Sequence, residues 1–214
     1  MYLTRVDVMV AVGRLADLEA WVKQYGDVLK AQQGFQALVH GNSLGYPAKH
    51  TGIVRWESRE AAVAWDRSPA LQAFVKANPI EGLCTIPQPA EAYGFILGVG
   101  APSAQARYGY LTDWHIDDLR PGNTAAFHSS RQRMFELHQK HHKGFIFNRL
   151  WRSLGNPYKY LVIHGYTNRE AFGEATRAAL ETPELQEVGR AYRWDDYTST
   201  PPAIEAFEVI HALL

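Results

Sequence analysis

The sequence predicts an α+β chain made of two tandem copies of one unit of about 100 residues, and three observations carry that prediction. The first is an internal match: "SLGYPAK" at 43–49 returns as "SLGNPYK" at 153–159. Sliding the chain by 110 positions also pairs Gly34 and Phe35 with Gly144 and Phe145, and Arg59-Glu60-Ala61 with Arg169-Glu170-Ala171. The second is a change of offset to 114, which pairs Pro69, Leu71 and Gln72 with Pro183, Leu185 and Gln186 across an insertion of four residues. Four residues add about one turn of 3.6, so they lengthen a helix while keeping its buried face in place. The third is "GVGAPSAQAR", residues 98–107, whose small residues and proline read as a linker. Repeat 1 is therefore expected over 1–98, the linker over 99–107 and repeat 2 over 108–214.

Each element of repeat 1 has its own signal. Residues 3–11 alternate and predict a strand, while Leu18, Trp21, Val22, Tyr25, Val28 and Leu29 recur at helical spacing. "GFQALVHG" and "KHTGIVRWE" are β-rich runs joined by a Gly-Tyr-Pro turn, where glycine tolerates positive φ and proline fixes its own. Ser58 before "REAAVAW" and Ser68-Pro69 before "ALQAFVKA" predict capped helix starts, which Asn168 and Thr182-Pro183 repeat in the second copy. A last strand, "AYGFILGV" or "AFEVIHAL", closes each copy. The order strand, helix, strand, strand, helix, strand is ferredoxin-like (βαββαβ), a small sheet with helices on one face. The other face needs a cover, and the sheet of the second copy is the obvious one, so two repeats packed sheet to sheet as a barrel-like core are expected.

Composition narrows the partners. The chain has 214 residues, 46% hydrophobic and 21% charged, enough for two small cores. Lys plus Arg equals Asp plus Glu at 22 each, so no net field gathers nucleic acid or a membrane surface. The first residues, "MYLTRVDVMV", lack the pattern of a secretory signal, and no apolar stretch reaches the roughly 20 residues that span a bilayer; a cytoplasmic protein is expected. Cys84, the single cysteine, sits in a loop-like "GLCTIPQP" and reads as structural.

The stretch "VRWESREAAVAWDRSPALQAF", residues 54–74, resembles the antibiotic biosynthesis monooxygenase superfamily of dimeric α+β barrels, in which a strand ending in tryptophan precedes a capped helix. The resemblance extends to repeat 2 through the internal match, and it implies a chain that is its own dimer: a monomeric pseudo-dimer, or a homodimer of such chains. It further implies a small-molecule, aromatic, quinol or polyketide-like substrate oxidised without a cofactor. Haem binding or breakdown also occurs on this fold, and a non-enzymatic small-molecule-binding barrel is the third reading. In the haem-degrading relatives an axial histidine follows the helix tryptophan, but the corresponding places here hold Val75 and Gly189.

The two copies differ in chemistry. At the offset of 110, the apolar stripe of the first helix becomes His128, Arg131, Gln132, Phe135 and His138. A register shift of one or two residues brings Phe127, Met134 and Leu137 inward instead. Buried polar groups persist only when they satisfy one another or meet a ligand, so the second copy is expected to hold the ligand. "TDWHIDD" puts Trp114 and His115 on opposite faces of a strand, and "KYLVIHGYT" puts Tyr160, Val162, His164 and Tyr166 on one face of another. His164 or His138 is the expected general base and Arg131 the expected holder of an oxyanion; Trp114, His115, Trp151, Tyr166 and His211 are expected to line the pocket. Trp65 matches the helix tryptophan of the family and reads as wall or core anchor. "HQKHHKG" places His138, His141 and His142 on one helical face with no carboxylate or cysteine to complete a metal site, and no metal is expected.

Overall fold

The computed structural model describes residues 1–86, 89–116, 122–191 and 193–214, which leaves part of "GLCTIPQP" and of "TDWHIDD" outside the described residues. Two compact units are present: Met1–Gly94 with Val209–Leu214, and Phe95–Glu208. The units therefore cut the last strand of each repeat, whereas the division expected from the sequence falls at residues 99–107.

Unit 1 is built from β1 (Tyr2–Val10), α1 (Leu15–Lys30), β2 (Phe35–Ser43), β3 (Lys49–Trp56), α2 (Arg59–Asp66), α3 (Pro69–Ala77), a two-residue β4 (Cys84–Thr85) and the start of β5 (Glu91–Gly100). Its strands run antiparallel as β5-β1-β3-β2, with Tyr2 opposite both Gly94 and Trp56, and Val54 opposite Leu38. Cys84 lies in a short strand paired with Val10 rather than in a loop; it is buried, and burial raises its pKa. Leu18, Val22, Gly26 and Leu29 repeat at helical spacing on α1 and are its buried residues, because that spacing keeps them on one face over Leu38, Val54 and Trp56.

Unit 2 contains β6 (Tyr108–His115), α4 (Asn123–His141), β7 (Phe145–Ser153), β8 (Lys159–Tyr166), α5 (Arg169–Glu181), α6 (Pro183–Ala191) and most of β9 (Ala203–Leu213). Its order is β9-β6-β8-β7, with Trp114 opposite Tyr160 and Asn148 opposite His164. Each unit thus has the ferredoxin-like strand order.

The repeat is physical as well as textual. Gly34 and Gly144 both have positive φ, 78° and 68°, and a Cβ there would stand 2.6 Å from the Ala61 methyl and 2.5 Å from the Ala171 methyl. Only glycine fits both constraints. The carbonyls of Gly34 and Gly144 accept the N–H groups of Glu57 (2.8 Å) and Thr167 (2.9 Å), and each copy has a bulge at the same place, Phe35/Ala37 and Phe145/Phe147. Ser58 Oγ accepts from Ala61 N–H at 3.2 Å and Asn168 Oδ1 from Ala171 N–H at 2.8 Å, as their cap positions predict. The insertion lengthens a helix: α5 has 13 residues against 8 for α2. One expectation fails: Gly45 and Gly155 are not among the positive-φ glycines. The duplicated turn is held by serine instead, with Ser43 Oγ accepting from Tyr46 N–H (3.2 Å) and Ser153 Oγ from Asn156 N–H (3.1 Å).

Candidate functional site

In unit 1, the space between α1 and the sheet is a cavity of about 360 Å³. Trp21 and Tyr25 from α1 form one wall and Tyr2, Val6, His40 and Val54 from the strands form the other. Helical spacing sets the first wall and strand alternation the second. The aromatic wall is pinned: Trp21 stacks on Tyr25 at 5.1 Å and donates from Nε1 to the Asn78 carbonyl at 2.8 Å. Tyr25 Oη accepts from Trp65 Nε1 at 3.1 Å, so Trp65, 4% exposed, is a core anchor that orients a wall residue without itself lining the cavity. Pinned rings make a preformed site, which reduces the entropy lost when a ligand enters.

His40 lines that cavity, together with the polar Thr4, Arg5 and Asp66. It is 3% exposed, and burial, then the neighbouring His50 and His211, push its pKa down to about 4. Its Nε2 lies 3.1 Å from His50 Nδ1 and its buried Nδ1 has no partner. Burial lowers the pKa of His50 as well, offset in part by the backbone of Pro47. In the tautomer where His40 Nε2–H donates to His50 Nδ1, His40 Nδ1 carries a lone pair. A neutral imidazole lining such a cavity is the kind of group that removes a substrate proton. Asp66 also lines the cavity, its pKa raised by desolvation.

Unit 2 places a different chemistry between α4 and its sheet. Phe127, Arg131, Phe135, His138 and His142 follow at helical spacing, so the two registers considered from the sequence are both partly realised: Phe127 and Phe135 are buried against the sheet on the face that carries Arg131 and His138, while Leu137 is buried against Leu185 and Val188 of α6. Gln132 instead bonds Glu136 on the surface at 2.9 Å. The Arg131 guanidinium lies 4.9 Å from the Trp114 ring centre and 5.5 Å from that of Phe127. Burial pushes its pKa down to about 10. His138 accepts at Nδ1 from Asn148 Nδ2 (3.0 Å), stacks on His142 at 4.4 Å and lies 5.6 Å, ring to ring, from His164. Burial lowers the pKa of all three, to about 3 for His164 and about 4 for His142, with neighbouring positive charge adding to the effect. Tyr166 is 1% exposed, its hydroxyl 3.1 Å from His142 Nδ1 and its pKa raised by burial.

Three of the expected pocket residues do not join this group. His115 is exposed at the end of β6. Trp151 is 2% exposed but pairs with Leu161, so strand alternation turns it to the sheet face opposite His164, where it meets Phe95 edge-on at 5.3 Å. His211 belongs to unit 1, because the end of β9 does; its Nε2 lies 3.7 Å from the position a Cβ would take on Gly26. His141 also leaves the histidine run, bonding Glu184 at 2.6 Å. His40 and His50 were not singled out from the sequence, although the alternation Leu38-Val39-His40 placed His40 on the face of Leu38.

Residues 1–77 match the family described as antibiotic biosynthesis monooxygenase. No curated protein matches the chain in sequence. Solved structures similar to it include a monooxygenase candidate of Fusobacterium nucleatum (11% identity, TM-score 0.78, 99% of this chain and 93% of the other) and one of Lactobacillus acidophilus (12%, 0.72, 99% and 95%). An anthrone oxidase-like protein is similar over 99% of this chain and 92% of its own, at 13% identity and a TM-score of 0.67. At these identities the likeness is one of fold, and it extends over both repeats.

Proposed function

We propose that this chain, whose residues 1–77 match the antibiotic biosynthesis monooxygenase family, oxidises a small phenolic or enolisable aromatic substrate with dioxygen and no bound cofactor. The observation that supports this reading is the coincidence of an aromatic-walled cavity, most of whose lining falls within the family-matched residues, and a buried imidazole nitrogen without a partner. His40 Nδ1 takes the substrate O–H proton, and His50 holds the tautomer that makes this nitrogen the acceptor. The resulting anion is electron-rich and surrounded by Trp21, Tyr25 and Val54 rather than water, so it passes one electron to dioxygen. Recombination forms the carbon–oxygen bond; for an activated methylene, loss of one water leaves a carbonyl, and substrate plus dioxygen balance product plus water. The neutral His40 is a weak base at its depressed pKa, which favours substrates whose O–H is itself acidic.

His164 with His138 and Arg131 is the competing seat for the same reaction, favoured by the depressed His164 and the nearby guanidinium. Oxygen uptake with a panel of hydroquinones separates the two. His40→Ala abolishes turnover and His164→Ala spares it if unit 1 reacts; the reverse pattern moves the reaction to unit 2. Binding with no oxygen uptake by the parent chain overturns the enzymatic reading in favour of a binding barrel. The places of the axial histidine of the haem-degrading relatives hold Val75, 46% exposed, and Gly189, also exposed, which counts against haem breakdown of that kind.

A further inference from the structure

The cavity of unit 1 has two polar ends. Tyr2 stands opposite Trp56, and four residues further along β1 Val6 stands opposite Gly52, which pairs on its other side with His40. At about 3.3 Å per residue, the Tyr2 end and the His40 end are about 13 Å apart. Asp66, the last residue of α2, belongs to the Tyr2 end, because its neighbour Trp65 bonds Tyr25 Oη at 3.1 Å and stands 6.3 Å, ring to ring, from Trp56. Asp66 is exposed overall, yet it lines the cavity together with Tyr2, Trp21 and Tyr25. Burial raises the pKa of Tyr2 and Tyr25, and the charge of Asp66 adds to the rise in both. Of the other charged side chains lining the cavity, Arg5 is paired with Asp7 at 2.9 Å and His40 is held neutral by burial. Among the described residues no cation pairs with Asp66. We propose that this end of the cavity is a subsite for a cation, the protonated amine of a phenolic amine, with the ammonium beside Asp66, Trp21 and Tyr25 and the phenol towards His40.

Charge and ring chemistry agree on that ligand. Desolvation raises the Asp66 pKa with no bonded donor or cation to offset it, and a ligand cation supplies the offset. Arg59, which opens the same helix, lowers the Tyr2 pKa by its charge but forms no ion pair with Asp66. Aromatic rings beside a carboxylate suit an ammonium, since the ring quadrupole attracts a cation and repels an anion. Trp21 and Tyr25 stack at 5.1 Å and are tied to the Asn78 carbonyl and to Trp65 Nε1, so their rings are in place before a ligand arrives. The inference deepens the reaction proposed for unit 1 and rests on that cavity as the place of the substrate. It names the charge of the substrate, which the oxidation itself leaves open.

The test is isothermal titration of the purified chain with tyramine, with para-propylphenol as the neutral counterpart and desaminotyrosine as the anionic one, at matched ionic strength and neutral pH. Tyramine is expected to saturate, and the other two to bind at least about ten-fold more weakly. Asp66→Asn is expected to weaken tyramine by about ten-fold and to leave para-propylphenol unchanged. Val54→Phe, which fills the cavity, is expected to weaken tyramine by about ten-fold or more. No saturable tyramine binding, equal affinity for tyramine and para-propylphenol, or full tyramine affinity in Asp66→Asn or Val54→Phe overturns the proposal. Should Asp66→Asn fail to fold, the three ligands on the parent chain decide. Oxygen uptake read in parallel separates the subsite from the reaction. Selective tyramine binding without uptake supports the subsite and removes the oxidation, whereas uptake on hydroquinones with no preference for tyramine removes the subsite and leaves the oxidation.

Discussion

Replacing Gly34 by alanine tests the clamp that both repeats share. Two penalties combine at this position. The φ of 78° forces a side chain into the left-handed region at a cost of about 1–2 kcal/mol. The new methyl would lie 2.6 Å from the Ala61 Cβ, a contact no rotamer relieves because alanine has none, so α2 itself must move; such overpacking costs about 1–3 kcal/mol. Gly13 isolates the first penalty, since its φ is 75° and nothing lies within 4 Å of its would-be methyl. Urea unfolding of Gly13→Ala is expected to show a loss of about 1 kcal/mol, and of Gly34→Ala a loss of about 2–4 kcal/mol with unchanged m. Adding Ala61→Gly to Gly34→Ala removes the opposing methyl, and the cycle is expected to show a favourable coupling of about 1 kcal/mol or more. Equal losses for Gly13→Ala and Gly34→Ala, with no coupling to position 61, would refute the reasoning, because the contact at 2.6 Å would then carry no energy.

Two further outcomes are expected. Val54 is 9% exposed and lines the cavity, so Val54→Phe fills space that a substrate would occupy; oxygen uptake falls by about ten-fold or more while stability changes by less than about 2 kcal/mol, and undiminished turnover excludes the cavity as reaction chamber. His40 and His142, with pKa values near 4 in the folded chain against 6.5 when exposed, bind protons only in the unfolded chain between these values. Stability is therefore complete above about pH 6.5 and declines on acidification toward pH 4, by up to about 1.4 kcal/mol per pH unit for each such histidine. Urea titrations between pH 4 and 7 check this: His40→Phe flattens the slope, and a slope equal to that of the parent refutes the burial of a neutral His40.

Much of the architecture was readable because it depends on local chemistry. Ser58 and Asn168 announce helix starts through an oxygen that serves the third residue on, and the four-residue insertion announces a longer α5 through the helical period. The alternation of β8 correctly put Tyr160, Val162 and His164 on one face. Where structure and sequence differ, the deciding information is non-local. Trp151 was assigned to the pocket by residue type, yet its pairing with Leu161 turns it away. His211 was grouped with the second-half histidines by its place in the chain, whereas the end of β9 lies in unit 1. His40 was passed over because nothing within its own strand distinguishes it; its partner His50 comes from the neighbouring strand.

The sequence by itself determined that there are two copies, where their elements begin, and that the second copy carries the more polar helix, since periods, caps and repeats are properties of neighbouring residues. Only the tertiary structure decided which polar groups share a space. It brought His40 to His50 across a strand pair and Arg131 onto the faces of Trp114 and Phe127, and it left Asn148 and His164 with unserved atoms, because burial and partnership arise from segments that the chain itself keeps far apart.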